Sequence, residues 1–201
     1  MTKKAIFGGT FDPIHNGHIN IAKKALQLLK LDNVVFMPSG NPPHKIKSNI
    51  TDGKIRYELI KAGIQNEKFF EVSSYEISKE GYSYTYQTMK YFKDLEPDTL
   101  WYFLLGADSL IDIDNWKRVD KIIESSIIVV LNRPGYRVNE VLKAKEKVEN
   151  TYGKEVIYLK TGEVDVSATK IRSLISENKD VSEYIPKAVI EKIKEFNLYK
   201  Q

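Results

Sequence analysis

His15 and His18 flank Gly17 a few residues beyond Gly8, Gly9 and Thr10, and each imidazole can present an N–H to an anionic oxygen. The glycines let backbone N–H groups approach a ligand closely. A helix starting near His18 adds unpaired donors and a partial positive charge. Together these features make a site for a polyphosphate. Pro42 and Pro43 lead stiffly into His44 and Lys45, a second pair of donors. Residues 165–172 open a helix with Ser167 as its N-cap, and the free N–H groups there, with Lys170 and Arg172, would meet a triphosphate. A metal site at His15 and His18 is disfavoured, because the chain has no cysteine and only one further histidine, His44. No metal ligands are expected.

The elements that must position these residues follow from hydrophobic periodicity. Short apolar, β-branched or aromatic runs predict strands over 5–7, 34–37, 69–73, 100–105, 127–131 and 156–159. Helical spacing predicts helices over 18–29, 54–64, 83–95, 115–124, 138–150, 168–177 and 186–196. Strands alternating with helices imply βαβ units and a parallel sheet covered on both faces. The expected fold is α/β, a Rossmann-like doubly wound parallel sheet with a small C-terminal helical appendage, in one domain spanning 1–201. Ligands of such sheets bind beyond the carboxyl ends of the strands, at the topological switch point. The loops after strands one, two, four and five carry Gly8 to His18, His44 with Lys45, Gly106 to Asp108, and Arg133. The loops holding the candidate residues therefore converge on one rim. Asp12 is expected to be exposed and to close an Asx-type turn. The last thirty residues carry no motif, and Tyr184 to Pro186 with the final helix reads as packing.

The wording of these loops goes further than their physics. Residues 8–18 closely resemble the signature of the HxGH nucleotidyltransferases. With Pro42 to Lys45, Tyr82 to Thr85, Leu104 to Ser109, Trp116, and Ser167 to Arg172, the chain resembles the bacterial nicotinate mononucleotide adenylyltransferases. That resemblance implies transfer of AMP from ATP to nicotinate mononucleotide, giving deamido-NAD and pyrophosphate. It implies His15, His18, Lys45 and Arg172 as catalytic residues. It implies an ATP site of Gly8, Gly9, Thr10, Phe11, His15, His18, Gly106, Asp108, Ser167, Thr169 and Arg172, with Mg²⁺ carried on the phosphates. It implies a mononucleotide site of His44, Lys45, Thr85, Trp116, Lys117 and Arg133. Trp116 reads either as core or as a lid stacked on the pyridine ring. Two departures stand out: Ala168 replaces the second serine of the closing signature, and Lys79-Glu80 stands where relatives often carry arginine.

Composition sets the outer bounds. The 201 residues include 42% hydrophobic side chains, enough for a sizeable core. The net charge of +4 favours anionic small molecules as readily as nucleic acid, and no nucleic-acid-binding motif is present. No apolar run is long enough to span a bilayer, and the first four residues leave no room for a signal peptide, so no membrane partner and a cytoplasmic setting are expected. The oligomeric state is left open, a homo-oligomer included. Three other functions compete: phosphopantetheine adenylyltransferase, which typically has threonine where His15 stands; a cytidylyltransferase; and a nucleotide-binding regulator without turnover.

Overall fold

Alternating strand residues face opposite sides of a single sheet, and each side is apolar. A computed structural model describes residues 1–40, 50–132, 138–160 and 166–200. His44, Lys45 and Arg133 lie outside them, as does the Pro42-Pro43 lead-in. The elements run β1 (Lys3–Gly9), α1 (Asn16–Leu29), β2 (Asn33–Pro38), α2 (Gly53–Ile64), β3 (Phe70–Val72), α3 (Thr85–Leu95), β4 (Leu100–Gly106), α4 (Ala107–Ile111), α5 (Val119–Ser125), β5 (Ile127–Asn132), α6 (Val138–Tyr152), β6 (Ile157–Lys160), α7 (Ala168–Ser176) and α8 (Lys187–Glu195). The order across the sheet is β3-β2-β1-β4-β5-β6, all parallel. The chain winds outward from β1 in one direction and from β4 in the other, which makes the gap between them the switch point.

On one face Ala5, Phe7, Val34, Phe36 and Leu104 pack under α1, α2, α7 and α8. On the other, Ile6, Val35, Trp101, Phe103 and Leu105 pack under α3 to α6. The C-terminal helices contribute Ile171, Val189 and Ile193 to the first core, so they are built into it. They also serve the start of α1. The Asn16 N–H donates to the Tyr184 carbonyl at 2.8 Å, and the Asn16 side-chain amide donates to the Glu183 carbonyl at 2.9 Å. Tyr184 to Pro186 thus satisfies one of the donors a helix start leaves open, as well as packing.

The helix expected over 115–124 starts later, at Val119. Arg118 before it is left-handed, with φ 54°, and Trp116 lies outside the helix after a 3₁₀ turn at Ile113–Asn115. The short helix α4 was not expected; it follows β4 directly, with Gly106 as its N-cap. Among the described residues no helix is long and apolar enough to cross a membrane.

Candidate active site

The turn after β1 is shaped by where Phe11 must go. Phe11 is left-handed, with φ 52°, and its buried ring folds back between Phe7 and His18. A Cβ on Gly9 would meet that ring at 2.8 Å, so only glycine fits there. The Phe11 side chain therefore supports the turn from beneath, and only its backbone faces outward chemistry. The ring stands edge-on under His18, with centroids 4.9 Å apart.

His15 and His18 then cap α1 for each other. The His15 N–H donates to His18 Nδ1 and the His18 N–H donates to His15 Nδ1, each at 3.3 Å. Two backbone donors that a helix start leaves open are thus satisfied reciprocally, in the manner of a capping box. An Nδ1 that accepts a hydrogen bond carries no proton, so each ring keeps its proton on Nε2. The rings stack with centroids 3.6 Å apart. Both residues are buried, at 4% and 7% exposed. Sequence reasoning placed them at the helix mouth but gave no reason for their orientation; the mutual cap supplies it.

Asp12 departs from expectation. It is 5% exposed, and its carboxylate reaches beyond its own turn. One oxygen accepts from the Thr51 N–H at 3.2 Å and the other from the Tyr199 hydroxyl at 2.6 Å. Its carbonyl accepts from Arg172 at 2.7 Å. Long-range donors thus replace the expected Asx-type turn.

Arg56 was missed altogether. It is 3% exposed and donates to three carbonyls: Thr51 at 2.8 Å, Thr10 at 2.7 Å and Ser39 at 2.7 Å. It ties the loop after β1 to the loop after β2 and to the start of α2. Burial pulls the guanidinium's pKa down, and the nearby carboxylates of Asp12 and Asp52 oppose that shift. Glu76 was missed as well. It accepts from Thr88 Oγ1 at 2.7 Å and from the Gly40 N–H at 3.4 Å, and burial pushes its carboxyl pKa up.

A cavity of about 390 Å³ opens beside the switch point. Gly8, Gly9 and Thr10 line it together with Thr85, Asp108, Trp116 and Lys117, and Glu76 and Ser83 border it as well. Some residues expected for ATP and some expected for the mononucleotide thus share one space, whereas His15, His18, Ser167, Thr169 and Arg172 do not line it. Thr85 begins α3, whose N-cap Tyr84 makes no side-chain cap, so backbone donors of the first turn point to the cavity's end of that helix. The Lys117 ammonium sits over the Tyr84 ring at 4.7 Å. Gly106 adjoins the cavity through Asp108, whose Oδ1 lies 2.5 Å from where a Cβ on Gly106 would stand. Ser167 caps α7 by accepting the Lys170 N–H at 3.2 Å. Arg172 reaches Thr169 Oγ1 at 3.4 Å as well as Asp12, which brings α7 onto the turn after β1.

Residues 6–174 match the family model described as cytidylyltransferase-like. The chain is 50% identical over 203 residues to a protein of Clostridium kluyveri and 48% identical over 200 residues to one of Clostridium novyi, with all of both chains covered in each case. Each of those relatives bears the name "Probable nicotinate-nucleotide adenylyltransferase". Among solved structures, nicotinic acid mononucleotide adenylyltransferase of Plasmodium falciparum complexed with NaAD superposes with a TM-score of 0.77 at 21% identity, over 99% of this chain and 98% of that one. The same protein complexed with APC gives 0.74 at 20% identity, with the same coverage. At that identity the likeness is one of fold.

Proposed function

The chain belongs to the nicotinate-nucleotide adenylyltransferases of the cytidylyltransferase-like family, and from that premise we propose how its residues join the AMP of ATP to nicotinate mononucleotide, releasing pyrophosphate. The observation that carries the reading is that a single cavity is lined both by Gly8, Gly9 and Thr10 at the end of β1 and by Thr85, Trp116 and Lys117. Two anionic substrates can meet there.

The nucleophile is a phosphate oxygen of the mononucleotide. A phosphate monoester has a second pKa of about 6, so it is already anionic at neutral pH and needs no general base. The chain must instead align two anions and stabilise charge as it develops around the α-phosphorus. His15 and His18 keep their Nε2–H groups as donors for that task, with His18 nearest the developing charge. Gly8, Gly9 and Thr10 hold the α-phosphate region through backbone N–H groups, and Phe11 fixes their path. Ser167, Thr169, Arg172 and Lys45 hold the outer phosphates. Mg²⁺ would come with ATP as part of the substrate and would supply neutralisation of its phosphate charge.

Gly106 and Asp108 serve the nucleoside part of ATP. Trp116 covers the pyridine ring, with His44 and Arg133 completing that end. Stacking alone cannot separate a carboxylate from a carboxamide. The open N–H groups at the start of α3 and the Lys117 ammonium can, because an amide NH₂ turned against them leaves donors unpaired at about 1–3 kcal/mol each. We place this reaction in the cytoplasm.

Pyrophosphate release, measured with ATP or CTP against nicotinate mononucleotide, nicotinamide mononucleotide and phosphopantetheine, tests this reading. The expected result is turnover with ATP and nicotinate mononucleotide, strongly preferred over the amide, with deamido-NAD as product. Turnover with CTP or phosphopantetheine in its place would overturn it.

A further inference from the structure

We propose that Tyr199, near the far end of the chain, is a positioning residue that holds the turn bearing His15 and His18 by way of Asp12. The inference rests on the adenylyltransferase reading for its effect on turnover, though the clamp itself can be seen without it.

The Tyr199 hydroxyl donates to Asp12 Oδ1 at 2.6 Å, across 187 residues of sequence. The length is that of an ordinary charge-assisted O–H···O⁻ bond, the stronger class of hydrogen bond. The carboxylate it meets is 5% exposed, so little water competes for it. Burial and the neighbouring carboxylate push the phenol's pKa up, which keeps Tyr199 a donor at any physiological pH.

The tail is bent to make this contact. Asn197 and Tyr199 are both left-handed, with φ 51° and 61°. Such a conformation is uncommon for a bulky side chain and persists where its surroundings impose it. The Leu198 N–H donates to the Ile193 carbonyl at 3.0 Å and the Asn197 N–H to the Lys194 carbonyl at 3.2 Å, which anchors the bend to the end of α8. Leu198 and Tyr199 pack against the core beneath α1 and α2. The tail is thus a fixed post from which the phenol reaches the turn.

Asp12 is where a displacement would spread. It stands three positions before His15, the cap of α1. Its other oxygen holds Thr51 and its carbonyl holds Arg172. If the carboxylate swings, the path from Gly9 to His15 shifts with it. A misplacement on the order of 1 Å at reacting groups can cost about 10²-fold in rate.

The test compares wild type, Tyr199→Phe, Asp12→Asn and the double variant. Tyr199→Phe keeps the ring and its packing while removing the hydroxyl; Asp12→Asn removes the charge and one acceptor oxygen, which weakens the same contact from the other side. Hydrogen exchange of the amides of residues 10–18 is measured on each unligated protein, followed by kcat and KM. Expected for Tyr199→Phe are faster exchange confined to residues 10–18 and a fall in kcat of about tenfold. The KM for the mononucleotide should hold, and the loss in the double variant should fall short of the product of the single losses, since the two variants share a contact. Unchanged exchange over 10–18, or losses that multiply in the double variant, would overturn the proposal. A wild-type protein without turnover would count against the reaction assigned above, and the exchange data would still decide the clamp.

Discussion

Trp116 stands edge-on to Phe103, with ring centroids 6.1 Å apart and 61° between the planes, while it also lines the cavity. It is half-buried and packs against the core, so the core reading holds in part, while its place on the cavity leaves it free to cover a ligand. Replacing it with alanine removes a stacking surface from the pyridine end. Trp116→Ala should raise the KM for nicotinate mononucleotide by about tenfold, the scale of 1–1.5 kcal/mol for an aromatic contact, with the KM for ATP little changed. Steady-state kinetics with each substrate varied in turn checks this. An unchanged mononucleotide KM would return Trp116 to the core alone.

Arg56 should be a stability residue with a functional consequence. Its removal leaves the Thr10, Ser39 and Thr51 carbonyls without their donor. Unpaired buried groups cost about 1–3 kcal/mol each, so Arg56→Ala should lose about 3 kcal/mol or more. Arg56→Lys should recover little, because a single ammonium does not reproduce a fork that spans three acceptors. Thermal unfolding of the two variants measures both effects. Full recovery by lysine would mean that charge, and not the three-way tie, is what the site requires.

The reach of sequence reasoning differs between these residues for physical reasons. The stretch from Gly8 to His18 was legible as a strand end leading into a helix start because its chemistry is contiguous and the flanking elements have clear periods, although the strand runs on through Gly9 where a turn was expected. The rim was legible because parallel strands send their following loops to one end of the sheet. Arg56 was missed although a signal existed: it precedes Leu59 and Ile60 by three and four residues, which puts it on the buried face of α2. Trp116 misled in the opposite way. It continues the spacing of Val119 and Ile122, so the helix was drawn through it, whereas the left-handed Arg118 interrupts the chain between them. Tyr199 and Glu76 lie outside any periodic run, and nothing local announces their long-range partners.

Glu76 gives stability a dependence on pH. Burial raises its pKa in the folded chain, against opposing hydrogen bonds from Thr88 and Gly40 and the charges of Lys79 and Arg56. The folded state therefore keeps a proton that the unfolded state releases. The stability tied to that proton is complete below the ordinary glutamate value and is lost as pH rises through the raised one. Denaturant unfolding of wild type and Glu76→Gln should thus show the wild type losing ground to the variant as pH climbs from about 4, the ordinary glutamate range. A difference that stays flat, or moves the other way, would show that the carboxyl is charged in the fold at ordinary cost.

Arg172 joins α7 to the turn after β1 and keeps further donors for phosphate. Arg172→Ala should raise the KM for ATP well above any rise for the mononucleotide, since the proposed mechanism puts it at the departing pyrophosphate. Isothermal titration with each substrate reports the same split. Equal weakening of both would mark the arginine as structural.

The account turns on the stacked, mutually capped pair at the start of α1. In the proposed mechanism His18 is the donor nearest the charge that develops on transfer, and a donor used mainly in the transition state governs rate more than binding. The decisive measurement is kcat for His18→Ala beside its ATP dissociation constant, on protein whose unfolding temperature confirms that α1 is intact. The account predicts a fall in kcat of about 10²–10³, with ATP affinity changed by far less. Near-normal turnover by the His18→Ala protein would contradict it.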